Sequence, residues 1–158
     1  MVGSGPGEWL LLAAPGRAVD LDPDRLAAQA PGEPVTWVDQ THGRALVRLS
    51  GPRAPGLLAK LCGIDLSDDI TPDGAAFRTS VAALATDVIR DDLGSADGST
   101  RSYLLHCERS SGQYLFDAML RAGAEFGIEI DGFRMPDALP DRPAQPPSPT
   151  TPPRPPAP

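Results

Sequence analysis

The first apolar run, EWLLLA at 8–13, stops at Pro15-Gly16 and predicts a buried strand closed by a turn. LDPDRLAAQA (21–30) has Asp22 where an N-cap belongs, Pro23 in the first turn and Pro31-Gly32 just beyond its end, so it predicts a helix. PVTWVDQT (34–41) predicts a strand. A turn at Gly43 leads from it into RALVRLS (44–50), where Val47 and Leu49 share one face and Arg48 and Ser50 the other. These two runs are expected to form a hairpin across THGR.

Beyond Ser50-Gly51-Pro52, Leu57, Leu58, Leu61 and Cys62 fall on one helical stripe, with Arg53 and Lys60 off it. Pro55 and Gly56 weaken the first turns, so this helix should start irregularly. DLSDDITPDG (65–74) is an acidic loop. AAFRTSVAAL and TDVIRDD (75–92) read as two strands, or one long strand with a break. The turn-rich GSADGST (94–100) joins them to RSYLLHCE (101–108) in a second hairpin.

The strongest helical pattern comes last. Ser110 or Ser111 stands as its cap, and Tyr114, Leu115, Ala118, Met119, Ala122 and Phe126 repeat at helical spacing. Gln113, Asp117, Arg121 and Glu125 line the opposite face, with Asp117 placed before Arg121 in the favourable order for an ion pair. Gly127 ends the helix, and IEIDGF (128–133) predicts a short edge strand. The order β-α-β-β-α-β-β-β-α interleaves hairpins with helices. It predicts an α+β fold, helices packed on a largely antiparallel sheet.

Composition divides the chain. Eleven of its nineteen prolines lie between Pro136 and Pro158, in a stretch with almost no large apolar side chain after Leu139. Such a segment buries too little surface to offset ordering entropy, so residues 135–158 are expected to be a disordered Pro-rich tail with polyproline II character. One α+β domain is expected over 5–134. The net charge of −7, with Lys60 the only lysine, argues against a nucleic-acid partner, which needs a basic stripe. The N-terminal apolar run is preceded by Glu8 and by no basic segment, and no run has the length of a membrane span, so a cytoplasmic protein without a membrane partner is expected. Cys62 and Cys107 lack metal-type spacing and read as free thiols, with a disulfide between them the alternative.

Candidate chemistry is sparse. Ser50-Gly51-Pro52 could cradle an anion before a helix, but Pro52 removes an N–H group and no second glycine or lysine completes a phosphate loop. His106 and Cys107 are neighbours in a strand, so their side chains take opposite faces and cannot form a local dyad. His42 in its turn reads as exposed or as a turn hydrogen-bonder. Asp65, Asp68, Asp69 and Asp73 do not follow a calcium-loop spacing and read as a solvated loop. Asp87, Asp91 and Asp92 also read as exposed, and Ser80 and Ser102 show no base. From the residues alone, no catalytic, cofactor-binding or metal-binding residue is assigned.

The ordered motifs nevertheless resemble a known family. Glu8-Trp9-Leu10, Val38-Asp39, Leu49-Ser50-Gly51-Pro52, Leu61-Cys62-Gly63-Ile64-Asp65-Leu66, Gly74, Thr79 and Ala124-Glu125-Phe126-Gly127 occur in the order seen in the gamma subunit of bacterial heterotetrameric sarcosine oxidase. That family in turn is similar to half-domains of the folate-binding aminomethyltransferases, and the likeness covers about residues 5–130. The resemblance implies a structural or assembly subunit, partnered by alpha, beta and delta subunits. The complex would oxidatively demethylate sarcosine to glycine, with tetrahydrofolate as one-carbon acceptor and hydrogen peroxide as product. It implies that FAD, FMN, NAD and tetrahydrofolate are held by other subunits and none by this chain.

In the aminomethyltransferases a catalytic carboxylate follows a Gly-Gly pair on the strand that corresponds to SVAALATDVI. No Gly-Gly-x-x-Asp occurs here. A stand-alone folate-binding module is the alternative, with Glu8, Asp39 or Asp87 as nominal partners for the pterin ring. Family members carry several tens of residues before the EWLLL strand. The resemblance therefore implies a start assigned too late, or a trimmed form whose Trp9 strand is an exposed edge. The loop from Asp91 to Ser99 is also longer than the family pattern.

Overall fold

A computed structural model describes residues 1–13, 24, 28, 32, 34–95 and 98–131. The helix expected over 21–30 and the tail over 135–158 lie outside these, apart from Asp24 and Ala28.

The centre is a four-stranded antiparallel sheet of β3 (Arg44–Ser50), β4 (Ala76–Val81), β5 (Leu84–Arg90) and β8 (Ser102–Glu108), in the order β3-β8-β5-β4. The α+β expectation holds, with helices on a largely antiparallel sheet. β3 and β8 pair along their whole length, from Arg44 opposite Glu108 to Ser50 opposite Ser102. The alternation that predicted these strands sets which face each residue takes. Leu49, Val81, Val88, Tyr103, Leu105 and Cys107 form the inner face. Against it pack Leu57 and Leu58 from α1 (Ala54–Leu58), and Leu115, Met119 and Ala122 from α2 (Gly112–Gly123). Close approach of the two helices needs Gly123, where a Cβ would stand 2.7 Å from Leu57 Cδ1 and 2.8 Å from Ile128 Cβ.

β4 and β5 form a hairpin whose two-residue turn, Ala82-Ala83, has φ of 49° and 66°. Positive φ at both central residues suits a twisted hairpin, but glycine or asparagine normally supplies it. Between β5 and β8 the chain makes a small ribbon of β6 (Leu93–Ser95) and β7 (Gly98–Thr100). Part of the segment from Asp91 to Ser99 is this ribbon.

Four expectations are corrected. EWLLLA is not a buried strand: only Glu8–Leu10 is extended (β2), it pairs with β1 (Val2–Gly5), and Trp9 is 62% exposed. Val2 and Gly3 give no apolar run, which is why β1 escaped the pattern. Residues 34–40 are irregular and exposed, so the THGR hairpin does not form; β3 pairs with β8, where Val47 and Leu49 meet the apolar inner face. Residues 128–131 are not a strand, because Ile128 folds back onto Gly123 and the core. Tyr114 is exposed despite its place on the helical stripe.

The last helix has a 3-10 turn at each end, Arg109–Ser111 and Ala124–Phe126, and Gly127 closes it with φ of 70°. Neither Ser110 nor Ser111 acts as a side-chain cap. Asp117 is taken by Gln113, whose Nε2 donates to it at 2.9 Å. Lys60, beyond α1, donates to Ala122 O, pairs with Glu125 and lies 5.5 Å from the Phe126 ring centre. It therefore ties α1 to the C-terminal end of α2, where the helix dipole favours a cation.

Candidate functional site

The outer face of the sheet, opposite the helices, carries the chemistry the sequence pattern did not bring together. β5 turns Asp87 and Ile89 outward, β8 turns Leu104 and His106 outward, β3 turns Leu46 and Arg48 outward, and β4 turns Ala76 and Arg78 outward. The registers place Asp87 opposite both His106 and Arg78. His106 Nδ1 lies 3.3 Å from Asp87 Oδ2, and Arg78 Nε lies 3.7 Å from Asp87 Oδ1.

Asp87 was expected to be exposed, but its side chain is only 14% exposed, and His106 is buried. Cross-strand pairing on a covered face explains the difference: the N-terminal hairpin lies over this side of the sheet. Val2, Gly3, Ser4 and Leu10 close a narrow cleft of about 20 Å³ against Ala76, Arg78, Asp87 and Ile89. That volume suits a single water molecule.

A larger trough of about 710 Å³ adjoins the cleft and shares Val2, Gly3, Ala76 and Ile89 with it. Leu46, Arg48 and Leu104 continue its floor, and Met1, Leu12 and Ala13 flank it. Arg48 spans the far end, donating to Ser102 Oγ at 2.6 Å and pairing with Asp91.

The remaining aspartates are structural. Arg90, almost fully buried at the end of β5, pairs with Asp92 at 2.8 Å and with Asp68 at 2.7 Å, and donates to Thr71 O. Arg101 adds a second contact to Asp68. Hydrogen bonding from Arg90 holds the Asp92 carboxyl below its usual range, and Arg90 and then Arg101 do the same for Asp68. Asp73 accepts from the Asp92 N–H, and Asp65 accepts from the Ser67 N–H and is lowered by it. All four aspartates of the 65–74 loop are exposed, and two of them, Asp68 and Asp73, also tie the loop to the end of β5 and the residues just beyond it. Among the described residues, no group of His, Cys, Asp and Glu is placed to hold a metal ion.

Ser50-Gly51-Pro52 is architectural. Gly51 has φ of 124° and gives its N–H to Arg101 O, and the helix that follows is one turn long. Cys107 is buried on the inner face, where burial raises its pKa, and His106 is on the outer face. Both cysteines are free. His42 is exposed, and its carbonyl accepts from Arg109. Ser102, buried, accepts from Arg48, and Ser80 is exposed. Of the nominal pterin partners, Glu8 is exposed on β2. Asp39 is exposed and bound by the Thr41 N–H, with Thr41 holding its pKa down. Only Asp87 joins a cluster.

The β4–β5 turn holds two successive residues in a conformation that glycine favours. Ala82-Ala83 is the pair with positive φ, and counting onward as in Gly-Gly-x-x-Asp reaches Thr86. Thr86 is fully buried on the inner face, and its hydroxyl donates to Leu84 O at 3.1 Å. Asp87, one residue further, faces the other way.

No family model matches the chain. It is 33% identical over 114 residues to an aminomethyltransferase of Geobacillus thermodenitrificans, covering 72% of this chain and 30% of the relative. It is 30% identical over 105 residues to an aminomethyltransferase of Bacillus velezensis, covering 66% of this chain and 27% of the relative. The chain thus spans less than a third of the length of these curated relatives. Among solved structures it is similar to a chain of the heterotetrameric sarcosine oxidase of Corynebacterium sp. U-96, with a TM-score of 0.56 and 24% identity, covering 70% of this chain and 53% of that one. Its fold is that of a chain of a heterotetrameric sarcosine oxidase, and its sequence is related to part of the aminomethyltransferases.

Proposed function

We propose that this protein is the gamma-type subunit of a heterotetrameric sarcosine oxidase, a structural and assembly subunit rather than the seat of the chemistry. The observation that carries this reading is the fold match together with its coverage. One alignment takes in 70% of this chain and 53% of the matched chain, so the matched chain is longer but still of single-domain size. A small partner chain is what the resemblance implies for the gamma subunit, with FAD, FMN, NAD and tetrahydrofolate placed on the larger subunits. Exposed Trp9, Val35, Trp37 and Val38 supply apolar surface of the kind that subunit contacts cover.

Co-expression with alpha, beta and delta partners tests the reading. Stable co-purification is expected, together with loss of the intact complex when this chain is omitted. Full sarcosine turnover by an intact complex lacking the chain would overturn it.

The relationship to aminomethyltransferases favours a second reading, a folate-binding module acting alone. Thr86 at the position of the expected carboxylate weighs against it, since a buried hydroxyl bonded to its own strand offers no charge to a ligand. Calorimetry of the isolated chain with tetrahydrofolate decides between them: micromolar binding supports the module, and no heat at high micromolar ligand removes it.

A further inference from the structure

We propose that the open edge of β3 pairs with the same edge of a second copy of this chain, antiparallel and centred on Val47, joining two four-stranded sheets into one. β3 ends the strand order, with β8 as its one neighbour among the described residues. Gly51 donates to Arg101 O and Arg109 donates to Gly43 O, so the odd-numbered residues of β3 bond to β8. Arg44, Leu46, Arg48 and Ser50 therefore turn their N–H and C=O groups to the open edge, where no described residue bonds to them.

Nothing in the strand guards that edge. Its register with β8 runs without a bulge, it has no proline or lysine, and its two arginines are held by Glu108 and Asp91. On the inner face Ala45 and Val47 pack against the core but are only partly buried, and outward Leu46 is 49% exposed. A further strand would complete their burial.

The side chains suit a second β3 and fix its register. With Val47 facing Val47, Ala45 meets Leu49 on the inner face, while Leu46 meets Arg48 and Arg44 meets Ser50 on the outer face. Apolar positions then coincide, and no like charges stand directly opposite. A shift of two residues either way sets Arg44 opposite Arg48, or Arg48 opposite itself. The contact is two-fold and self-complementary, so it closes at the dimer. It belongs to the chain apart from any partner subunit and does not rest on the assembly reading.

Light scattering after size exclusion of the full chain alone tests the pairing. A dimer is expected at high micromolar concentration, dissociating on dilution. Leu46→Lys sets a cation opposite Arg48 of the second copy at two symmetric positions and should weaken dimerisation about ten-fold or more. Leu46→Glu sets an anion there and should leave the dimer at least as tight. Ser80→Lys, on the opposite edge strand β4, should change nothing. Each variant should keep the wild-type circular dichroism, since both positions are exposed. A monomer at every concentration, equal weakening by Leu46→Lys and Leu46→Glu, or loss of the dimer with Ser80→Lys would each overturn the proposal.

Discussion

At the scale of single residues, Arg90 holds the 65–74 loop to the sheet through Asp68 and Thr71. Its partners Asp92 and Asp68 bind protons less readily in the folded chain than in the unfolded one, because Arg90 stabilises their charged forms. Their contribution is therefore present above the unfolded aspartate pKa of about 3.9 and is lost as pH falls through the lower folded values. Arg90→Met leaves the buried Asp92 without its main partner and should cost about 2–3 kcal/mol at pH 7, read by urea unfolding. The gap between variant and wild type should shrink below pH 4, since protonated aspartates no longer need the arginine. A gap that stays constant to pH 3 would show that the loss comes from packing instead. None of this clamp was legible along the chain, because Asp68 and Arg90 are 22 residues apart and meet only when the loop folds over β5.

At the scale of elements, the β4–β5 turn carries visible strain. Each alanine in a left-handed conformation costs about 1–2 kcal/mol, and Ala82-Ala83 places two in succession. The double change Ala82→Asn and Ala83→Gly supplies the residues this turn type prefers, at an entropic cost of about 0.5–1 kcal/mol for the glycine. A net gain of about 1 kcal/mol is expected, visible as a higher melting temperature. An unchanged or lower value would mean that neighbouring contacts, such as the Ala82 N–H to Leu61 O bond, already offset the strain. Strands β4, β5 and β8 and the last helix were legible in the sequence, because alternation and helical spacing there coincide with burial. The strand expected over 34–41 does not form, since an alternating pattern makes a strand only where a partner edge is available, and β3 takes β8 instead.

At the scale of the whole molecule, the helices cover one side of the sheet, while the N-terminal hairpin covers part of the other. Val35, Trp37 and Val38 are exposed together on an irregular segment. In the proposed assembly this segment should be covered by a partner subunit. Trp37→Ser is expected to reduce co-purification with the partners several-fold without lowering the melting temperature of the isolated chain, because a half-exposed tryptophan adds little to the core. Undiminished co-purification would move the contact surface elsewhere.

The residues in order determined the α+β class, the strands with matched faces, the last helix and the kinship to sarcosine oxidase and aminomethyltransferases. Local periodicity and ordered motifs carry that information without reference to distant contacts. The pairing of β3 with β8, the clamp around Arg90 and the meeting of Arg78, Asp87 and His106 were decided only by tertiary structure. The first and last depend on strand register across separations of 9 to 64 residues, which is set by which faces are buried together, a property of the sheet and not of any one strand; the clamp depends on the 65–74 loop folding over the end of β5.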